Sequence, residues 1–199
     1  MKIFIKLLLA SCVLSLAACS PFSVTKVEPG EKMVGERLSL KLDQAWNHVK
    51  APGINGPSSE SWTLEGLPID ELTIFTGLKN DEAIHPAGYG DKKKMGEFKF
   101  RSDMQTEQIV ALFEGMLGRD GSTFKLSKLS PMPFAGGKGF RFEYSLIRKR
   151  DNVELSGIAS GVVDKGQLYA VVYQAPRLVF FPRHQQRVLQ LMNSARLKG

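Results

Sequence analysis

Three imidazoles, two carboxylate pairs and two small-residue motifs are the groups in this sequence whose chemistry could reach beyond packing. His48, His85 and His184 lie far apart and lack the i, i+4 spacing that sets two ring nitrogens on one helical face around a metal ion, so no metal site is expected. Asp70-Glu71 and Asp81-Glu82 could supply a general acid and base. Nothing in the flanking sequence gives them an apolar setting, and they read as turn and strand-edge charges. Gly157-Ile-Ala-Ser160-Gly161 has the residue types of a serine nucleophile motif with the wrong spacing, because the strained elbow requires Gly-x-Ser-x-Gly between a strand and a helix. Ser160 falls instead within a strand whose small residues permit close packing. Gly136-Gly137-Lys138-Gly139 lacks Walker spacing and opens a strand, so the helix N-terminal amides that hold a phosphate are absent and a tight turn is expected. No catalytic residue and no cofactor follows from these groups, and a non-enzymatic protein is the expectation.

The remaining reactive side chains are the thiols of Cys12 and Cys19. Lys2 and Lys6 give a positive start, residues 7–16 an apolar core broken by Ser11 and Ser15, and small residues follow, the three parts of a secretion signal. A core of about ten residues, rising ~1.5 Å each, is too short for a ~30 Å hydrocarbon layer. Leu16-Ala17-Ala18-Cys19 resembles the bacterial lipobox at all four positions. That resemblance implies removal of residues 1–18 and attachment of lipid to Cys19, the lipidation site and the mature N-terminus. One acyl chain, at about 0.8 kcal/mol per buried CH₂, holds a protein only marginally, whereas several hold it firmly; the class carries three. Ser20 follows the cysteine where an Asp would favour inner-membrane retention, so an outer-membrane location facing the periplasm is expected.

Cleavage removes two of the 27 basic residues and none of the 20 acidic ones, leaving a mature charge of +5. Lys92-Lys93-Lys94 and Arg148-Lys149-Arg150 carry much of that charge and read as solvated turns. A nucleic-acid partner does not suit the periplasm; the membrane, through the anchor, and an envelope protein are the expected partners. With Cys12 discarded and Cys19 lipidated, the mature chain has neither a disulfide nor a thiolate metal site. Its stability must come from a hydrophobic core, which its length allows.

The elements that would position these groups follow from periodicity. Residues 19–34 carry Pro21, Pro29 and Gly30 without a repeat and read as a flexible tether reaching at most about 50 Å. Residues 35–199 read as one domain. Leu38, Leu40 and Leu42 alternate as in a strand, residues 46–57 read as a loop, and 61–64 as a short strand. In 72–78, Leu72, Ile74, Thr76 and Leu78 share one face, with Phe75 on the other. Ser102 with Gln105 fits a capping box before Ile109, Leu112, Phe113, Met116 and Leu117, one apolar helical face that Gly118 would end. Phe140, Phe142, Tyr144 and Leu146 alternate as a half-buried strand, turned at 150–152. Asp164-Lys165-Gly166 suits a bulged hairpin before a strand at 168–173. A last helix carries Pro182 in its first turn and Val188, Leu191, Met192 and Ala195 inward. Consecutive hairpins followed by helices define an α+β class, an antiparallel sheet with helices packed on one face. Trp46, Trp62, Phe180 and Phe181 are residue types that line binding grooves and also build cores.

Gly161-Val-Val-Asp-Lys-Gly-Gln-Leu-Tyr169 and Val171-Val-Tyr-Gln-Ala-Pro176, with an aromatic pair and a closing helix, resemble the C-terminal half of the PsbP-type domain. That superfamily includes the photosystem II extrinsic protein and the bacterial DcrB lipoprotein. The stretch from Phe134 to Phe142 lies where that fold enters its long central hairpin. The mature chain is also similar to small proteobacterial lipoproteins in residues 62–66, 75–77, the helix ending near Met116 and the Tyr-Gln-Ala-Pro segment. The resemblance implies a PsbP/DcrB-like sheet with a binding or assembly role in the cell envelope, and it transfers no functional residue. The alternative reading of the same residues is an envelope hydrolase whose site the sequence does not reveal.

Overall fold

The computed structural model describes residues 22–51, 56, 58–84 and 98–199. The signal at 1–18, Cys19, His85 and the lysines at 92–94 lie outside the described residues. The strands are β1 (Ser23–Val27), β2 (Gly30–Val34), β3 (Leu38–Leu42), β4 (Trp46–Lys50), β5 (Ser59–Thr63) and β6 (Glu71–Leu78). Helix α1 (Thr106–Gly118) precedes β7 (Thr123–Pro131), β8 (Phe140–Arg148), β9 (Val153–Asp164) and β10 (Gln167–Pro176), and helix α2 (Phe180–Ser194) precedes β11 (Arg196–Leu197). Among the described residues, eight strands form one sheet in the order β1-β4-β5-β6-β10-β9-β8-β7, and β11-β3-β2 form a small second sheet. Every pairing is antiparallel. The expected α+β class and antiparallel sheet are therefore present.

The helices, however, do not share a face. Strand β10 buries alternate residues on opposite sides: Tyr169, Val171 and Tyr173 pack with Val188, Leu191 and Met192 of α2, while Leu168, Ala170 and Val172 pack with Ile109, Phe113 and Met116 of α1. The expectation of one covered face failed because β10 reads as a continuous apolar run, which a sheet needs when both its faces are covered. On the α2 side the cover is completed by Leu38, Leu40 and Leu42 of β3. On the α1 side, Phe113 meets Phe75 edge-on at 5.5 Å between ring centroids and Phe142 at the same distance. Each such fully buried side chain contributes about 1.5–3 kcal/mol of burial.

Several local expectations change. Residues 23–34 are not tether: Ser23 to Val27 pair with β4, and Gly30 to Val34 pair with β3. The β-branched Val24, Thr25 and Val27 favour that conformation, and partners distant in sequence complete it. Residues 46–50, expected in a loop, form β4, whose Trp46 is wholly buried. Helix α1 is not capped by Ser102, whose amide donates to Asn80 Oδ1 at 3.0 Å. Gln105 is the cap residue, and its amide donates to Gln108 Oε1 at 2.8 Å. Gly118 is the last helical residue, and the left-handed glycine comes later, at Gly121 with φ 89°. The β9–β10 hairpin has no bulge: Asp164 pairs with Gln167 across Lys165 and Gly166, both at positive φ as a two-residue type I′ turn requires. The bulge lies in β6, where Gly77 at φ 119° is an extra residue opposite β10. It turns Leu78 from the face of Leu72 and Ile74 to the face of Phe75.

Candidate functional site

The residues that could do chemistry separate into closed structural roles and one open cleft. His48 on β4 faces Glu60 at 3.6 Å, and Glu60 also accepts the Trp62 indole N–H at 3.0 Å. Burial pulls His48 below the usual imidazole range, against the pull of Glu60. His184 on α2 contacts Glu65 at 2.7 Å, and Arg183 reaches the same oxygen at 2.9 Å. These hydrogen bonds hold the Glu65 carboxyl below its ordinary range. His48 and His184 thus each sit with a glutamate of their own. Ser160 is fully buried; its hydroxyl accepts Arg141 Nε–H at 2.8 Å and donates to Met192 Sδ at 3.5 Å. Gly157 and Gly161 flank it because larger residues do not fit. A Cβ on Gly157 would strike the Tyr144 ring, and one on Gly161 the Phe140 ring. Residues 134–137 close as a tight turn with Ala135 and Gly136 at positive φ. Trp46 and Trp62 belong to the core, with Phe180 and Phe181 packed against it. Glu82 and Asp81 lie in a turn, where Glu82 accepts the Lys79 amide at 3.0 Å.

Asp70 and Glu71 divide sharply. Asp70 is buried on the α2 side and accepts Thr63 Oγ1–H at 2.5 Å, the Leu64 amide at 3.0 Å and the Glu65 amide at 2.8 Å. It closes the β5–β6 connection. Glu71, one residue on, faces the α1 side, where α1 ends before covering the sheet. There the side chains of Glu71, Arg119, Asp120, Arg148, Leu155 and Gln174 line two adjoining chambers of about 210 and 320 Å³. The inner chamber is walled by Phe75, Ile84, Met116 and Val172; Pro68, Ile69 and Arg150 stand at the outer one.

The floor is a hydrogen-bonded relay. Tyr144 O–H donates to Gln174 Oε1 at 3.2 Å, Gln174 Nε2–H to Glu71 Oε2 at 3.4 Å, and Ser61 O–H to Glu71 Oε1 at 3.2 Å. Burial raises the Glu71 carboxyl above its ordinary range, while its hydrogen bonds and the Arg119 charge pull the other way. Burial and the Glu71 charge likewise raise the Tyr144 phenol, which stays protonated as a donor. The cations differ in availability. Arg148 is held by Asp151 at 2.8 Å and by the Pro68 carbonyl at 2.9 Å. Among the described residues Arg119 makes one long hydrogen bond, 3.4 Å, to the Met116 carbonyl at the end of α1. From the sequence Glu71 reads as a turn or strand-edge charge, Gln174 as part of a structural motif, and Arg119 carries no signal. A glutamine inside the apolar run of β10 was the signal that could have found the cleft, since a polar side chain there must face a polar neighbour or water.

No protein-family model matches the chain, and no curated protein sequence matches it significantly. Solved structures do. The solution structure of the cyanobacterial PsbP protein, CyanoP, from Synechocystis is similar over 92% of this chain and 96% of its own, with a TM-score of 0.57 at 11% identity. A Mycobacterium tuberculosis protein, LpqN, described as involved in cell envelope biogenesis, covers 89% of this chain and 92% of its own at TM-score 0.41 and 11% identity. A Pseudomonas aeruginosa protein of unknown function, described as a putative regulator, covers 82% and 95% at TM-score 0.38 and 14% identity. The fold is thus a PsbP-like α+β domain.

Proposed function

We propose that this chain is a lipid-anchored lipoprotein of the bacterial cell envelope, held at Cys19 in the outer membrane and facing the periplasm, that binds a ligand in the Glu71 cleft without transforming it. One observation carries the binding reading: a carboxylate whose burial raises it above its ordinary range stands at the floor of an open, part-apolar cleft beside Arg119, which among the described residues has no ion-pair partner within 4.0 Å. Perturbed ionisable groups in clefts mark binding and catalytic sites. The anchor rests on the lipobox residues. Among the described residues no helix is long and apolar enough to cross a membrane.

The position of β1 supports an orientation for a domain anchored in this way. Strand β1 begins at Ser23, so three residues separate it from Cys19, a span of roughly 14 Å if extended. Following the antiparallel pairings across the sheet, β1 is entered from the side of the β9–β10 turn, while Glu71, Gln174 and Arg148 lie towards the opposite end. A lipid on Cys19 would leave the cleft facing away from the membrane.

Two measurements test this reading. Cys19→Ala is expected to abolish labelling by a palmitate analogue and release the protein from membranes; continued labelling overturns the anchor. Photocrosslinking in cells from position 69, at the cleft mouth, is expected to trap an envelope component, with the trap lost in the Arg119→Ala variant. A second reading, an envelope hydrolase, draws on the presence of Glu71 and Asp120 in one cleft. Asp120 Oδ1, however, already accepts the Ser122 amide at 2.9 Å. Turnover of an envelope substrate that vanishes in Glu71→Gln would establish that second reading over the first.

A further inference from the structure

We propose that the cleft takes a small zwitterion, an α-amino-carboxylate, with its ammonium on Glu71 and its carboxylate on Arg119. This rests on the binding-module reading above and supplies its ligand class. The charges come first. Glu71 and Arg119 line both chambers and sense one another electrostatically, yet among the described residues they form no ion pair within 4.0 Å. The donors around Glu71, namely Ser61 at 3.2 Å, Gln174 at 3.4 Å and Thr73, are all neutral. Those neutral bonds leave carboxylate lone-pair capacity for a further, charged donor. Among the described residues Arg119 commits one of its five N–H donors, and its planar fork matches a carboxylate.

The competing cations are committed. Arg148 is tied to Asp151 and Pro68, and Arg150 lies 3.5 Å from Asp151. A purely anionic ligand would meet Glu71, and a purely cationic one would meet Arg119. A ligand carrying both charges satisfies both sides and repels neither. The inner wall of Phe75, Ile84, Met116 and Val172 suits an aliphatic side chain, and a chamber of about 210 Å³ suits a ligand of amino-acid size. The group is either a free amino acid or an α-amino-carboxylate displayed at the end of a peptide side chain.

A matched ligand set separates the halves of the site. Leucine supplies both charges and an aliphatic chain, 3-methylbutylamine lacks the carboxylate, and 4-methylpentanoate lacks the amine. γ-Glutamyl-diaminopimelate displays the zwitterion on a peptide. Calorimetric titration of the full chain, isolated in detergent, is expected to give saturable binding of leucine or the peptide. Each half-ligand should bind at least tenfold more weakly. Tighter binding of the peptide than of leucine identifies the displayed group as the source, and the reverse identifies the free amino acid. Glu71→Gln and Arg119→Ala are each expected to weaken binding at least tenfold with the melting transition retained; Arg119→Lys, a charge without the fork, should restore it in part. A half-ligand that binds as well as the zwitterion overturns the proposal, as does binding unaffected by both variants. Absence of binding by all four, alongside a specific crosslink from position 69, overturns the zwitterion and leaves the binding module standing. Absence of both overturns both.

Discussion

The two faces of the central sheet are covered in different ways, and adjacent carboxylates report the difference. On one face α2 and the small sheet close over Trp46, Tyr173 and Val171, and Asp70 is enclosed with three donors within 3.0 Å. On the other, the 13 residues of α1 cover only part of the sheet, and Glu71 is left with neutral donors, those from Ser61 and Gln174 longer at 3.2 and 3.4 Å, at the floor of a cleft. Successive side chains of an extended segment point to opposite faces, so one step along the chain moves a carboxylate from a structural joint to the floor of an open cleft. Charge and residue type do not separate these roles; the completeness of the cover does.

The largest expected effect breaks the closed side. Asp70→Ala strips the acceptor from Thr63, Leu64 and Glu65, leaves buried donors without partners, and should cost about 3 kcal/mol in urea unfolding. Glu71→Gln on the open side should behave oppositely. Because burial raises the Glu71 carboxyl in the fold, its protonated form favours folding. That contribution is full below the unfolded value of 4.5 and is lost as pH rises through the higher folded value. The stability of Glu71→Gln relative to the wild type should therefore grow between pH 4 and pH 8, and a difference independent of pH would contradict the assignment.

A pair of tyrosines sharpens the contrast. Tyr144 O–H on the cleft side bonds Gln174 at 3.2 Å, whereas Tyr173 O–H on the closed side is buried without a hydrogen-bond partner among the described residues. Tyr144→Phe should cost about 1 kcal/mol, and Tyr173→Phe should be neutral or stabilising, since it removes an unsatisfied buried hydroxyl. Equal losses in thermal unfolding would refute the difference between the faces. The smallest effect is at Leu178, 86% exposed beyond β10. Leu178→Ser should change stability by no more than about 0.5 kcal/mol.

Local pattern carried much of the fold. The alternation of Phe140, Phe142, Tyr144 and Leu146 gave β8 and its buried face, and the apolar face of 109–117 gave α1. Both signals depend only on backbone period and on which side chains avoid water. The same reasoning failed where a distant partner supplied the order. Strand β1 exists through β4, and β4 itself sits in a stretch punctuated by Pro52 and Gly53.

By itself the sequence determined the class of fold, the long hairpins of the C-terminal half, the glycine at the β9–β10 turn and the close packing around Ser160. These follow from periodicity, from φ preference and from the absence of a Cβ. Tertiary structure alone decided that the helices take opposite faces, that Asp70 and Glu71 part company, and that Glu71, Gln174 and Arg119 meet across 103 residues of chain. A site assembled from the ends of β6, β10 and α1 has no signature along the chain. Its chemistry comes from incomplete burial, and burial is a property of the packed whole.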